Sequence, residues 1–173
     1  MNKIAHLTIF LAIVSAVAGG ALALANQVTA PVIEANNLRL EKESLQKMYP
    51  EAKESDFQQV EVKVDNPDVQ KVYRYKNYLI FNMKVSGYKD GTTFLVSIDT
   101  DNETIDDYYP LSNGDTKGLG SKVMEPEFEK LLEGKPADGD LDTISGATIT
   151  SQGVTEGIHD AADVAEDVEK GGK

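Results

Sequence analysis

The sequence predicts an α+β protein with one N-terminal transmembrane helix, followed by a small domain in which an antiparallel sheet is flanked by helices. Three observations lead to this fold class. Residues 4–33 contain no Asp, Glu, Lys or Arg. Residues 60–111 alternate short runs of β-branched and aromatic residues with tight turns. Residues 151–169 repeat apolar side chains at steps of three and four, the period of an amphipathic helix.

The N-terminal segment is long enough to cross a membrane. Its centre, LTIFLAIVSAVAGGALALA at residues 7–25, is almost wholly apolar or small, and about 20 such residues span a bilayer core. A cleaved signal peptide is the alternative, because ALALA resembles a cleavage site and Lys3 a charged n-region. The run is longer than the roughly 7–15 apolar residues of a signal peptide, and it continues as NQVTAPVI, which favours a retained anchor.

The charges around this segment predict its orientation. Lys3 precedes the apolar run and Glu34 is the first charge after it. The positive-inside rule then places the N-terminus in the cytoplasm and the rest of the chain on the extracytoplasmic face of the inner or plasma membrane. We therefore divide the chain into an anchor at 1–33, a linking helix at 34–50 that ends at Pro50, and an extracytoplasmic domain at 51–173.

The middle of the chain predicts five or six antiparallel strands. VEVKV at 60–64 alternates apolar and polar residues, and VQKVYRYKNYLIFNMKVSGY at 69–88 contains two strands with a turn at Lys76 and Asn77. KDG at 89–91 predicts a hairpin turn before TTFLVSID, and TDNE predicts another before TIDDYYPL. Connections this short cannot carry a parallel crossover.

The last third of the chain predicts a loop and two helices. SNGDTKGLGS is a loop, and EPEFEKLLEG is a short helix with Pro126 in its first turn and Gly134 at its end. The last helix runs from about Ser151 to Glu169, with His159 off the apolar stripe as an exposed residue. The stripe consists of Val154, Ile158, Ala161, Ala165 and Val168.

Composition excludes several classes of function. The net charge of −12 argues against nucleic acid as a partner, since phosphates need Lys and Arg. The absence of Cys excludes an iron–sulfur cluster, a thiolate zinc site and a disulfide within this chain. His6 and His159 are the only imidazoles, too few for a His-based metal or haem site, so we predict no metal.

The hydroxyl-rich stretch DTISGATITSQGV, at residues 142–154, allows three interpretations. The simplest is that Thr150 or Ser151 caps the last helix after a turn at Gly146 and Ala147. A serine hydrolase is the second, but SGAT lacks the nucleophile-elbow pattern and His159 is the only imidazole beyond the anchor. The third is a site that binds an anion at the start of the helix.

An anion site follows from the position of Thr148, about two residues before the predicted helix start. Helix N-termini present unpaired N–H groups and a partial positive charge. Gly146 and Ala147 would let the backbone approach a phosphate closely. No Lys or Arg lies between Asp138 and Glu169, so backbone donors would have to balance the charge.

The other glycine-rich loop, TKGLGSKV, is not a dinucleotide fingerprint. Gly118 and Gly120 form a G-x-G, but Val123 stands where the third glycine belongs and no parallel βαβ unit surrounds it. A flexible loop that approaches a flat ligand, with Lys117 and Lys122 supplying charge, remains open.

The segment DTISGAT, residues 142–148, resembles the flavinylation motif D-x-x-[ST]-G-A-[ST] of covalent FMN-binding domains. In that family the last Ser or Thr carries FMN through a phosphoester bond, which a flavin transferase makes by moving FMN from FAD. The resemblance implies Thr148 as the attachment site and Asp142 as the acidic position. It implies further FMN contacts from the attachment turn and the TKGLG loop: Ser145, Gly146, Ala147, Thr150, Ser151, Thr116, Lys117, Gly118, Leu119 and Gly120.

More of the chain is similar to the G subunit of Rnf-type ion-translocating ferredoxin:NAD oxidoreductases, a relative of the C subunit of the sodium-translocating NADH:quinone reductase. The similar segments are NQVTAPVI, VSGYKDGTTFLVSID and DTKGLGSKVMEPEFEKLLEGK. The family's loop usually reads E-T-P-G-L-G, and here Lys117 replaces its proline. The resemblance implies an electron-transfer subunit without catalytic activity of its own. Its implied partners are a polytopic FMN-carrying subunit and an iron–sulfur membrane pair.

Two alternatives remain. The FMN domain could serve the quinone reductase or another extracytoplasmic reductase. In a different class, the chain could be an anchored binding module with no redox role, its SGAT merely a helix cap.

Overall fold

The structure, a computed structural model, describes residues 2–62 and 66–171. It opens with one continuous helix, α1, at Lys3–Met48, with Pro31 inside it. The apolar side chains of its first thirty positions are exposed, and the helix is long and apolar enough to cross a membrane by length and composition. By internal contacts the chain divides into two compact units, residues 1–42 and 43–173.

The second unit is built on a five-stranded sheet whose neighbours follow the order of the chain and are all antiparallel, which confirms the predicted architecture. A two-residue turn at Lys76 and Asn77 joins the second and third strands, as predicted, and Lys76 adopts a φ of 53°. The strands are β1 Gln58–Val60, β2 Val69–Tyr75, β3 Tyr78–Val85, β4 Thr92–Asp99 and β5 Thr104–Asn113.

Three strands end at other residues than predicted. β5 ends at Asn113, two residues into the predicted loop SNGDTKGLGS. β1 ends at Val60, so the predicted strand at 60–64 is wrong for Glu61 and Val62, and its last two residues lie outside the described part of the chain. β3 ends at Val85 rather than at Tyr88. The reason is a six-residue loop, 86–91, whose backbone N–H groups bond to a side chain instead of to the sheet.

Two helices follow the sheet. A 3₁₀ turn at Gly120–Met124 leads into α2 at Pro126–Leu132, where Pro126 takes the first position as predicted. The last helix, α3, spans Thr148–Gly171 and so begins three residues before its predicted start.

One face of the sheet packs against α3. Inward-pointing residues of β3 and β4, such as Phe81 and Phe94, meet the apolar stripe of α3. Four of the five predicted stripe residues are buried and Val168 packs at the margin, which confirms the stripe. His159 is half-buried, contrary to prediction, because the loop before α3 folds back and brings the Gly139 carbonyl oxygen within 2.8 Å of its Nε2.

The opposite face carries a second apolar cluster, formed within residues 43–173. Ile80 and Leu95 point to this side and pack against Tyr49 and Tyr75. The Tyr49 hydroxyl donates to Asp106 Oδ2 at 2.5 Å and lies 2.6 Å from Ser97 Oγ. Apolar clusters therefore cover both faces of the sheet. The loops 86–91 and 114–120 lie at its end, outside these clusters.

Candidate functional site

The motif 142–148 ends in a tight turn that starts α3. Gly146 has a φ of +83°, a conformation that favours glycine, and the Ala147 N–H closes the turn on the Ile144 carbonyl at 2.9 Å. Ala147 is buried, which fixes the turn against the domain. The Ala147 carbonyl then accepts the Ser151 N–H at 2.9 Å, so the helix begins at Thr148.

Because α3 begins at Thr148, the prediction that Thr150 or Ser151 caps this helix is wrong. Ser151 lies inside the first turn, where its hydroxyl donates to the Ala147 carbonyl and accepts the Ile144 N–H, both at 3.0 Å. Thr150 is also buried and its hydroxyl donates to Asp115 Oδ2 at 2.6 Å. Thr148 is the first helical residue, not a residue before the helix, and it is exposed.

The first turn of α3 leaves backbone donors available. The first N–H bonded within the helix is that of Ser151. The N–H groups of Thr148, Ile149 and Thr150 come before it and have no carbonyl one turn back in the helix. They lie beside the Thr148 hydroxyl, at the positive end of the helix dipole.

The loop 114–120 faces this turn. Gly118 has a φ of +79°, and its N–H donates to Ser121 Oγ at 2.8 Å. Leu119 keeps half of its surface exposed, whereas Gly120 is buried. An added Cβ on Gly120 would lie 2.8 Å from Thr150 Oγ1, so only glycine lets the loop approach α3 this closely.

Asp115 joins these segments, and sequence reasoning missed it. Its carboxylate accepts the N–H groups of Tyr88, Lys89 and Asp90, at 3.2, 2.6 and 3.2 Å, besides the Thr150 hydroxyl. Burial alone would raise the pKa of Asp115, but the hydrogen bonds from Thr150 and from the three backbone groups hold the pKa below its ordinary value. The carboxylate is therefore kept ionised at neutral pH.

A cleft of about 500 Å³ lies between the turn at residues 144–147, the start of α3 and the loops 86–91 and 114–120. Three exposed apolar or aromatic side chains line it, those of Tyr88, Leu119 and Ile149. Tyr88 and Ile149 were not predicted, and only the folding of loop 86–91 onto Asp115 brings Tyr88 here. Of the twelve predicted contact residues, seven line the cleft, Leu119 among them: Thr116, Leu119, Gly120, Gly146, Ala147, Thr148 and Thr150.

The other five predicted residues do not line the cleft. Asp142 points to Lys135, with which it forms an ion pair at 2.5 Å. Ser151 is wholly buried and holds the turn at residues 144–147. Ser145, Lys117 and Gly118 lie beside the cleft-lining residues, at least partly open to solvent. Ser151 thus shapes the turn from outside the cleft, whereas Asp142 contacts Lys135.

Comparison with known proteins agrees with this geometry. Residues 87–163 match the FMN-binding domain family, a stretch that includes both loops of the cleft and the start of α3. The chain is 30% identical to the G subunit of the Na(+)-translocating ferredoxin:NAD(+) oxidoreductase complex of Acetobacterium woodii, over 95% of this chain and 92% of that protein.

Two further relatives cover nearly the whole chain. The G subunit of the ion-translocating oxidoreductase complex of Methanosarcina acetivorans is 29% identical over 94% of both chains. The G subunit of the proton-translocating ferredoxin:NAD(+) oxidoreductase complex of Clostridium ljungdahlii is 25% identical over 94% of this chain and 91% of its own. The chain therefore belongs to the family of G subunits of Rnf-type ion-translocating oxidoreductase complexes, and it contains that family's FMN-binding domain.

Proposed function

We propose that this protein is an electron-transfer subunit of a membrane-bound Rnf-type ferredoxin:NAD oxidoreductase, with FMN bound through a phosphoester to Thr148. The single observation that carries the proposal is the place of Thr148. Its side chain is exposed, lines the cleft and stands at the first position of α3. A phosphate bonded there would meet the unpaired N–H groups of the first helical turn.

The residues of this turn fit a bound phosphate. With no Lys or Arg between Asp138 and Glu169, the negative charge would be balanced by the N–H groups and the helix dipole. Gly146 has no atom near its missing Cβ, which leaves the approach to Thr148 open. In the loading reaction, the Thr148 hydroxyl would lose its proton and form the new P–O bond, while the pyrophosphate bond of FAD breaks and AMP leaves.

The apolar lining of the cleft fits a flat ring. Tyr88, Leu119 and Ile149 present apolar surface that is otherwise exposed to water, and a flat heterocycle would cover part of it. Bound FMN supplies one- and two-electron exchange. Among the described residues that line the cleft, none carries a carboxylate, an imidazole or an amine. We infer that these residues bind and orient the cofactor and catalyse no reaction of their own.

The anchor would keep this domain at the membrane. We propose that α1 crosses the membrane with the N-terminus in the cytoplasm and the FMN domain on the extracytoplasmic face. There it would exchange electrons with other membrane subunits of the complex, namely a polytopic FMN-carrying subunit and an iron–sulfur pair. Covalent attachment suits that location, because the tether turns rebinding of the cofactor into an intramolecular event.

The test is to express the full chain together with a flavin transferase and to look for flavin fluorescence on a denaturing gel. We expect a fluorescent band for the wild type and none for Thr148→Ala. Thr148→Ser keeps a hydroxyl at the attachment position and should remain fluorescent. Thr143→Ala is the matched control, because Thr143 is an exposed threonine of the same segment outside the cleft.

Two outcomes would overturn the assignment. Covalent flavin on Thr148→Ala would mean that another residue is the attachment site. A wild type that takes up no flavin, although the transferase modifies another substrate in the same cells, would favour the anchored binding module without a redox role.

A further inference from the structure

We propose that Asp115 is the positioning residue of the flavin cleft: its carboxylate holds Tyr88 over one side of the cleft and locks loop 114–120 to the first turn of α3. This inference rests on the proposed FMN site. It assigns a role to a residue that neither lines the cleft nor forms the attachment motif.

The carboxylate uses both of its oxygens. Oδ1 accepts the N–H groups of Lys89 and Asp90, at 2.6 and 3.2 Å. Oδ2 accepts the N–H of Tyr88 at 3.2 Å and the hydroxyl of Thr150 at 2.6 Å. Four donors from two distant parts of the chain therefore converge on one side chain. Hydrogen bonds to an ionised acceptor are about twice as strong as those between neutral groups.

The glycines around Asp115 leave room for its side chain. An added Cβ on Gly87 would lie 3.0 Å from Asp115 Cγ, and one on Gly120 would lie 2.5 Å from Asp115 Cβ. Both distances are too short for an unstrained contact. A side chain at Gly87 or Gly120 would therefore displace the Asp115 side chain from its four donors.

Each segment held by Asp115 supplies a residue to the cleft. Loop 86–91 supplies Tyr88, the loop of Asp115 itself supplies Thr116 and Leu119, and α3 supplies Thr150. Tyr88 is largely exposed, so its position depends on the backbone bonds to Asp115 more than on side-chain packing. We expect that loss of these bonds frees Tyr88 and opens the ring end of the cleft to water.

Asp115→Asn is a sharp test because it keeps the shape of the side chain. Asn offers one acceptor oxygen, and its NH₂ group must face two of the four donors. If the oxygen stays with Lys89 and Asp90, the NH₂ can still donate to Thr150 Oγ1, but it opposes the Tyr88 N–H. Asp90→Asn is the matched control, because it removes one negative charge from the same loop and leaves all four donors and both acceptors in place.

The first measurement is hydrogen exchange of residues 87–91 in the flavin-free full chain in detergent. We expect exchange at least about tenfold faster in Asp115→Asn than in the wild type at the amide that faces the NH₂ group, which is Tyr88 if the oxygen stays with Lys89 and Asp90, and unchanged exchange in Asp90→Asn. The second measurement, on protein loaded by the transferase, is iodide quenching of the attached flavin, which should increase in Asp115→Asn.

The outcomes separate this inference from the proposed function. A wild type without flavin contradicts the FMN assignment, whereas the exchange measurement does not involve flavin. Loaded Asp115→Asn with wild-type exchange and wild-type quenching overturns the role of Asp115. If Asp115→Asn loses its native circular dichroism, Thr150→Val takes its place in the experiment. Iodide quenching of the flavin should then rise in Thr150→Val and return to the wild-type value in Thr150→Ser. Unchanged quenching in Thr150→Val overturns the inference.

Discussion

At the scale of single residues, the surroundings of two carboxylates shift their pKa values in opposite directions. Asp115 receives four hydrogen bonds, which hold its pKa below the ordinary value despite burial. Asp107, on β5, lies near two glutamates of the α2 region, Glu129 and Glu133, with carboxylate oxygens of all three within 4.8 Å of one another. Burial and these negative charges raise the pKa of Asp107 to about 6. The surroundings of Asp115 therefore stabilise its ionised form, whereas those of Asp107 destabilise its ionised form.

Asp107 therefore predicts a pH-dependent loss of stability. The folded carboxyl keeps its proton to about pH 6, whereas the unfolded carboxyl loses it near 3.8. The stabilisation by neutral Asp107 is fully present below pH 3.8 and is lost as the pH rises through about 6. We expect Asp107→Asn to raise the free energy of unfolding at pH 8 by about 1 kcal/mol, discounted for partial exposure.

Urea denaturation of the flavin-free protein at pH 5 and pH 8 measures this effect. The gain of Asp107→Asn over the wild type should be larger at pH 8 than at pH 5. Asp167→Asn, at an exposed position of α3, is the control and should show no such difference. A variant less stable than the wild type at pH 8 would contradict the repulsion argument.

At the scale of elements, α3 packs closely against β3, and two glycines of α3 permit this contact. An added Cβ on Gly157 would lie 2.5 Å from Val85 Cγ1 and 3.5 Å from Phe94 Cζ. An added Cβ on Gly153 would collide with the Ser86 carbonyl oxygen, next to the loop that carries Tyr88. The position of α3 on the sheet thus also fixes the position of its N-terminus at the cleft.

Gly157→Ala tests this packing, because helix propensity and packing predict opposite signs. Propensity alone would favour Ala inside a helix by about 1 kcal/mol. Crowding against Val85 should instead destabilise the domain by about 1–3 kcal/mol, measured by urea denaturation. Gly171→Ala, also in α3 but facing open space, should cause no loss. A Gly157→Ala variant more stable than the wild type would contradict the close packing.

The elements that the sequence predicted well are those governed by local pattern. The alternation in β3 and β4 and the stripe on α3 follow directly from periodicity. The early start of α3 was missed because it depends on the buried Ala147 and on the turn at Gly146. The bond from Thr150 to Asp115 joins residues 35 positions apart. No local signal predicts this bond, nor the bond from the Tyr88 N–H to Asp115, so the cleft residue Tyr88 was missed as well.

At the scale of the whole molecule, the chain consists of a long helix with an apolar first part and a compact acidic domain. α1 has 46 residues, more than twice the roughly 20 that a bilayer core requires. The buried residues of both apolar clusters lie between Leu45 and Ala165, outside the apolar run. The domain therefore takes its core from its own residues, which leaves the apolar run available for the membrane.

The orientation of the chain is the last prediction, and the absence of Cys makes it simple to test. We expect a membrane-impermeable maleimide to label Asp167→Cys in intact cells and to leave Asn2→Cys unlabelled, because the positive-inside rule predicts that Lys3 keeps the N-terminus in the cytoplasm. Both should be labelled after permeabilisation. If Asn2→Cys alone is labelled in intact cells, the orientation is the opposite of the predicted one. Loss of the Asn2→Cys signal from a shortened chain, even after permeabilisation, would mean that the segment is a cleaved signal peptide.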